Sequence, residues 1–455
     1  MIRYAFGPLL LTACGATPLR VPPPTSSKAE PASALIAAGL SSRRAHDIAQ
    51  SLADDVGPRL AGSPGDAAAV AWAERTMREL GFANVHTEAV TVPVWRRGVE
   101  TAEIVEPSRQ PLAVTALGWS GATPKEGITA EVVEVESLAA LQALSADAVK
   151  GKIVFVNVPM ARSDDGSGYG KAIGARLVGP MAAMKLGAAA FVVRSLGTAS
   201  DRFPHAGATL LRESANPIAA GALSTVDADL LHRATARGRV KMKLVLGPER
   251  DKDAQSANVV GEIVGTTKKD EVVLLGAHLD SWDLGRGAID DGAGCGIVLE
   301  ATRLVGARAP RRTVRVVLFA AEENSTAGAK AYLAAHAADV SRFVLAMEAD
   351  SGTDRARFVR FLGDPSHVND FHAIARALLP LGITGKDGDD VHAGSDVSPL
   401  VSAGVPTIEV RQDASRYFDI HHTANDTSDK LDAEALAQVA SAFAEIVSRV
   451  ADMDG

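Results

Sequence analysis

From residue 256 onward the chain alternates runs that are apolar throughout with amphipathic helical segments. The order is ANVVGEIVG, EVVLLGAHLD, a helix over 292–307, TVRVVLFAAEE, a helix over 327–338, FVLAMEAD, a helix over 368–380, GVPTIEVRQ and the long LDAEALAQVASAFAEIVSRVA. A strand that is apolar on both faces must be covered on both, and the intervening helices supply that cover. The pattern therefore predicts an α/β fold, with a mostly parallel sheet flanked by helices. Ligands of such sheets bind beyond the carboxyl ends of the strands. The polar residues follow that rule: His278 and Asp280 close one strand, Glu322 and Glu323 follow a second, Asp350 ends a third, and DIHHTANDTSD follows a fourth.

Upstream, residues 42–81 carry helical periodicity broken by PRLAGSPG, and VHTEAVTVPVW turns to strand-like alternation. From about 105 to 255 the character changes. Short strand candidates such as ITAEVVEV, GKIVFVNV and AAAFVVRS are separated by glycine, with few long helices. This predicts a separate module over these residues. The N-terminus, MIRYAFGPLLLTAC, has one arginine and an apolar run too short to span a bilayer. Its LTAC ending resembles a bacterial lipoprotein signal over residues 1–13, which would leave Cys14 as the lipid-bearing N-terminus on a Pro/Ser/Ala-rich tether over 14–35. The expectation is an exported protein lipid-anchored in the bacterial cell envelope, at periplasm or outer membrane, or else secreted, touching membrane only through that lipid.

With 455 residues, 47% of them hydrophobic, the chain can bury a full core. Its formal charge of −8 offers no basic surface for phosphates, which disfavours nucleic acid as a partner. The second of its two cysteines, Cys295, has no partner once Cys14 is lipidated and reads as a small buried apolar residue.

The strand-end residues suit a metal. In His278-x-Asp280 the carboxylate can accept the imidazole's second N–H and leave the other nitrogen for a cation. Asp290 and Asp291 precede a helix, where an N-cap is the common role; the competing role for Asp290 is to bridge two cations with its two oxygens. Glu322 and Glu323 would repel each other at the end of an apolar strand unless a cation lay nearby. One can ligate while the other serves as a base, and spacing does not say which. Together Asp290, Glu323, Asp350, His278 and His422 could give each of two Zn2+ ions one histidine, one carboxylate and a share of Asp290, a nitrogen and oxygen set that suits an open catalytic site. There is no HExxH, which disfavours a gluzincin-like endopeptidase.

Taken in order, GAHLDSWD, AIDDGAG, FAAEEN, MEAD and HHTANDT resemble the dinuclear zinc exopeptidases of the M28 type. DVGPRLAGS, PVWRRGVE, GITAEVVEV and GKIVFVNVP extend the likeness over almost everything from about residue 45 to the end. The resemblance implies two zinc ions per chain, one held by His278, Asp290 and Asp350, the other by Glu323, His422 and the same Asp290. It makes Glu322 the general base, working on a water activated between the metals, and Asp280 the orienter of His278. It also implies a protease-associated-like, β-rich insert over 105–255 within a zinc exopeptidase catalytic domain made of 36–104 and 256–455, and a homodimer. Some relatives place a tyrosine directly before the metal histidine; that position is His421 here, which becomes the candidate oxyanion donor, with packing against the site as the alternative. The branch that this chain resembles acts on unblocked dipeptides, while the wider group includes aminopeptidases on longer peptides. Trp282, Asp283, Ser395 and Asp396 are candidate substrate-pocket residues, for which turn stabilisation is the competing role. Two further readings stay open: a single-zinc acyltransferase of the glutaminyl cyclase type and a metal-free binding module.

Overall fold

The helix Ala293–Gly306 is buried along almost its whole length, Cys295 included, which a helix apolar all round requires. In the computed structural model, which describes residues 33–388 and 391–454, this helix is sandwiched between the central sheet and the C-terminal helix Ala433–Asp452, with Arg44–Ser51 against it. Close approach is possible because position 296 is glycine: a Cβ there would lie 2.1 Å from the Ala45 carbonyl oxygen. Cys14, the leader and most of the tether lie outside the described residues. Among the described residues no helix is long and apolar enough to cross a membrane.

The central sheet runs in the order Ala83–Val92, Ala254–Ile263, Arg312–Phe319, Lys268–His278, Phe343–Glu348. The first two pairings are antiparallel and the last two parallel. Four of the five strands thus run the same way, as expected, and Ala254–Ile263 alone is reversed. Its reversal is not legible in the sequence, because Val259 and Val260 are buried whatever the direction of the neighbouring strand and an apolar run covered on both faces carries no sign of that direction. The α/β class stands, with the functional strands Lys268–His278, Arg312–Phe319 and Phe343–Glu348 parallel and their carboxyl ends at one edge.

A second sheet of eight strands includes Glu100–Glu106, Ile128–Val135, Ile153–Val156, Ala190–Arg194 and Lys241–Leu246, and has its own buried cluster around Phe155, Phe191 and Leu244. It begins at Glu100, ahead of the position 105 read from the sequence, and carries helices Ser167–Leu177 and Thr225–Thr235 that were not anticipated there. The glycines of the first and the shortness of both hid them from a pattern reading. It joins the rest through a two-stranded stem, Trp95–Arg96 with Glu249–Arg250. A further strand that the sequence reading passed over, Ala356–Leu362, pairs with Thr407–Gln412 in a small third sheet.

The helix Pro64–Glu79 starts at Ser63, whose hydroxyl accepts the Asp66 N–H, while Asp66 accepts the Gly62 N–H at 2.8 Å and the Ser256 hydroxyl at 2.9 Å. Burial pushes the Asp66 carboxyl up to about 6, against the bonds from Gly62 and Ser256. The folded state therefore holds this proton at pH values where the unfolded chain, at about 3.9, has released it, so stability falls as pH rises through that window. Expected is that wild type gains roughly 1–3 kcal/mol relative to Asp66→Asn between pH 7 and 4. Parallel denaturant titrations of both proteins across that range check it, and a difference that is flat with pH contradicts it.

Candidate metal centre

The loop 279–292 folds back over the end of strand Lys268–His278, and two buried side chains hold it there. The Arg59 guanidinium donates from Nε to Leu279 O at 2.6 Å, from Nη1 to Arg286 O at 2.7 Å and from Nη2 to Gly287 O at 2.8 Å. Gly287 sits at φ +59°, where a Cβ would run into Ser281 and Arg59. Asp426 accepts the main-chain N–H groups of Ile289 at 2.7 Å and Asp290 at 3.2 Å. Burial pushes its own carboxyl up to about 7. Neither Arg59 nor Asp426 was singled out from the sequence, although both lie in the quoted runs DVGPRLAGS and HHTANDT.

Asp290 is thereby set between two histidines. Its Oδ1 lies 3.1 Å from His278 Nε2 and its Oδ2 lies 3.2 Å from His422 Nε2. Each histidine has one more carboxylate: Asp350 Oδ1 is 3.8 Å from His278 Nε2, and Glu323 Oε2 is 2.9 Å from His422 Nε2. Asp291, next in the chain, instead accepts the N–H groups of His278 and Gly294 and shapes the helix start.

Burial works to raise the Asp290 carboxyl, but the bonds with His278 and His422 outweigh it and hold it well below the usual range. Burial pushes Glu323 up to about 8 and Asp350 up to about 7. Among the described residues no lysine or arginine forms an ion pair with these three carboxylates. A dry cluster of carboxylates and imidazoles without a fixed cation fits divalent metal. The ligand atoms of His278, Asp290 and Glu323 all lie within 4.8 Å of one another, as do those of Asp290, His421 and His422. Asp290 Oδ2 lies at ion-pair distance from His422 Nε2 but outside good hydrogen-bond geometry, which leaves it free to ligate. Metal uptake there competes with the protons these groups hold.

Around this centre the other candidates divide. His278 Nδ1 is nearer the main-chain oxygen of Asp280, at 3.1 Å, than its carboxylate, at 3.6 Å. That carboxylate accepts the Glu322 N–H at 2.9 Å, which fixes the turn Glu322–Ser325 that carries the half-buried Glu322. His421 stacks on His422 with ring centroids 3.6 Å apart, its Nε2 is 3.6 Å from Asp290 Oδ2, and Tyr417, Phe418 and Tyr169 surround its ring. Burial, and then His422, holds His421 well below its ordinary range and therefore neutral.

Trp282 is buried edge-on to Trp95, and its main-chain N–H donates to Glu323 Oε1. Asp283 is engaged by Arg97 at 2.8–3.0 Å and so is tied to the base of the second sheet. Ser395 is exposed on the wall of a cleft of about 430 Å3 that includes Asp350. Asp396 lies behind that wall, fully buried, with neither carboxylate oxygen partnered. Burial, and then neighbouring Glu348, raises it well above the ordinary range. Glu348 accepts the N–H groups of Asp396 and Val397 and was missed in the sequence, although MEAD contains it. Its signal is period 2: it stands two residues before Asp350, on the same face of the strand.

The chain matches the model of "Peptidase family M28" over residues 258–447. It is 37% identical over 409 residues to carboxypeptidase Q of Mus musculus, covering 89% of this chain and 84% of that protein. The solved structure of a peptidase M28 precursor from Shewanella amazonensis SB2B is 42% identical and superposes with a TM-score of 0.90, covering 92% of this chain and 96% of that one. An aminopeptidase from Aneurinibacillus sp. strain AM-1, 22% identical with a TM-score of 0.64 over 92% of this chain and 96% of its own, shares the fold.

Proposed function

Because this chain belongs to peptidase family M28, we propose that it is a zinc-dependent exopeptidase hydrolysing the peptide bond of unblocked dipeptides or short peptides. The observation that carries this reading is the position of Asp290, with one oxygen toward His278 and the other toward His422. Two zinc ions would be held there, one by His278, Asp290 and Asp350 and the other by His422, Asp290 and Glu323. When bound, they supply positive charge that acidifies water and polarises the scissile carbonyl.

The chain's own groups do the rest. Glu322 takes a proton from the attacking water as its oxygen bonds to the carbonyl carbon, and returns that proton to the amine nitrogen as the C–N bond breaks. Asp280 holds Glu322 in place through the main-chain N–H of that residue. His421, neutral and fixed among aromatic rings, donates to the oxyanion. Ser395 lines the cleft beside Asp350, Asp396 supports that wall, and Trp282 with Asp283 steadies the loop that follows His278. The second sheet is read as a protease-associated-like insert lying over the centre.

The test is hydrolysis of free and N-acetylated dipeptides and tripeptides by protein stripped of metal and titrated with Zn2+. Activity recovered near two zinc per chain and confined to free-amino dipeptides is the expected result. Equal cleavage of longer peptides makes the protein an aminopeptidase, and no cleavage at any zinc level removes the exopeptidase reading. In the same assay His421→Ala is expected to lower kcat by about 10²–10³-fold with zinc content unchanged. An unchanged kcat would reduce His421 to packing.

A further inference from the structure

The two sides of the metal centre differ in the groups they present. On the His278 side stand Asp350, Glu348 and Asp396, all acidic and all buried or nearly so. On the His421 side stand Arg176, His205 and Tyr169, contributed by the second sheet and its helices. Arg176 is only 5% exposed, yet no carboxylate pairs with it among the described residues. Its Nη1 donates to Ala206 O at 3.3 Å, and its Nε is buried without a partner.

His205 is 2% exposed with Nδ1 unpartnered, and the Nδ1 of His421 is unpartnered as well. These groups adjoin. The rings of His205 and His421 are 6.5 Å apart, Tyr169 stands edge-on to His421 at 5.2 Å, and the Arg176 guanidinium lies 5.5 Å over the Tyr169 ring.

A buried guanidinium with a single carbonyl partner is costly to keep, and three orphaned nitrogens in one place are rare in a folded protein unless something binds them. The backbone beside them is also kept bare. A Cβ at Gly207 would lie 2.1 Å from Arg176 Nη1, and one at Gly197 would lie 2.1 Å from His205 Nε2. The same segment meets the catalytic side: the Ala206 N–H donates to His422 O at 2.9 Å, and Ala206 O faces His422 Nδ1 at 3.4 Å.

A dipeptide is a zwitterion about 7 Å long, with an ammonium at one end and a carboxylate at the other. We propose that Arg176, on helix Ser167–Leu177, and His205, on the loop after strand Ala190–Arg194, form beside His421 an anion-binding niche that receives the free carboxylate of the substrate, while the acidic side of the centre faces its ammonium. This rests on the exopeptidase reading and sharpens it: the insert measures substrate length by capturing a carboxylate one residue beyond the scissile bond. A longer peptide or a C-terminal amide has no charge to place there.

The test compares Ala-Ala with Ala-Ala amide by calorimetric titration of the zinc-loaded Glu322→Gln protein, in which hydrolysis is slowed by about 10²–10⁴-fold. The acid is expected to bind about 10- to 100-fold tighter than the amide, the scale of a charge-assisted hydrogen-bond pair. Arg176→Met in the same background is expected to erase that preference and leave the amide's affinity unchanged, with Arg176→Lys between the two. Equal affinity for acid and amide before any change at Arg176 overturns the niche, and this arm does not depend on how Arg176→Met folds. Equal weakening of both ligands by Arg176→Met, with zinc retained, also overturns it. The two readings fail separately. A protein that cleaves no peptide but prefers the acid keeps the niche and loses the exopeptidase, whereas one that cleaves dipeptides and their amides alike does the reverse.

Discussion

Glu322→Gln is expected to lower kcat by about 10²–10⁴-fold, the range that a positioned general base supplies, while zinc content and dipeptide affinity stay near those of wild type. The side chain keeps its size and its place on the turn, because the turn is held by the main-chain N–H of residue 322 on Asp280 rather than by the carboxylate. What is lost is the capacity to take a proton from water and hand it to the leaving amine. Single-turnover rates with zinc measured in the same sample decide the matter. A fall in rate that tracks a fall in zinc would transfer Glu322 to metal binding, and an unchanged rate would remove it from the chemistry.

Asp290→Ala is expected to weaken both metal sites together by about 100-fold or more and to bring hydrolysis to background. Its two oxygens serve two different histidines, so its loss leaves His278 with Asp350 and His422 with Glu323 as two incomplete pairs. Asp350→Ala is expected to weaken only the His278 site. Zinc per chain after dialysis against graded chelator separates these outcomes. Retention of one ion by Asp290→Ala at wild-type affinity would show that the sites do not share this residue, and would favour a single-zinc transferase. The unfolded chain has no preformed site, so the same loss should lower the melting temperature of the zinc-loaded protein toward that of the metal-stripped one.

Much of the centre is legible along the chain because strand periodicity is local. His278, Asp350 and the Glu322-Glu323 pair stand at or just past the ends of apolar runs, and the ends of adjacent parallel strands share one edge. Less legible was what each carboxylate does. Asp280, read as a partner for the His278 ring, faces His278 Nδ1 at 3.6 Å with the same Oδ1 that accepts the Glu322 N–H. Asp283, read as a pocket residue or else a turn stabiliser, is bound by Arg97 from across the stem. Glu348 and Asp426 were quoted inside motifs and left without a role.

The sequence alone determined the α/β class, the order of the candidate ligand motifs and the side of the sheet on which they gather, since these follow from hydrophobic period and from where polar residues interrupt it. The tertiary structure alone decided that the sheet is mixed, that Arg59 holds the loop 279–292 from a helix-connecting turn, and that His205 and Ala206 approach His421 and His422 from the second-sheet region, with Arg176 bonded to Ala206 O. Those contacts join residues tens to hundreds of positions apart. No local propensity encodes them, because the free energy that selects them, the pairing of buried polar groups after water is excluded, exists only once both cores have formed.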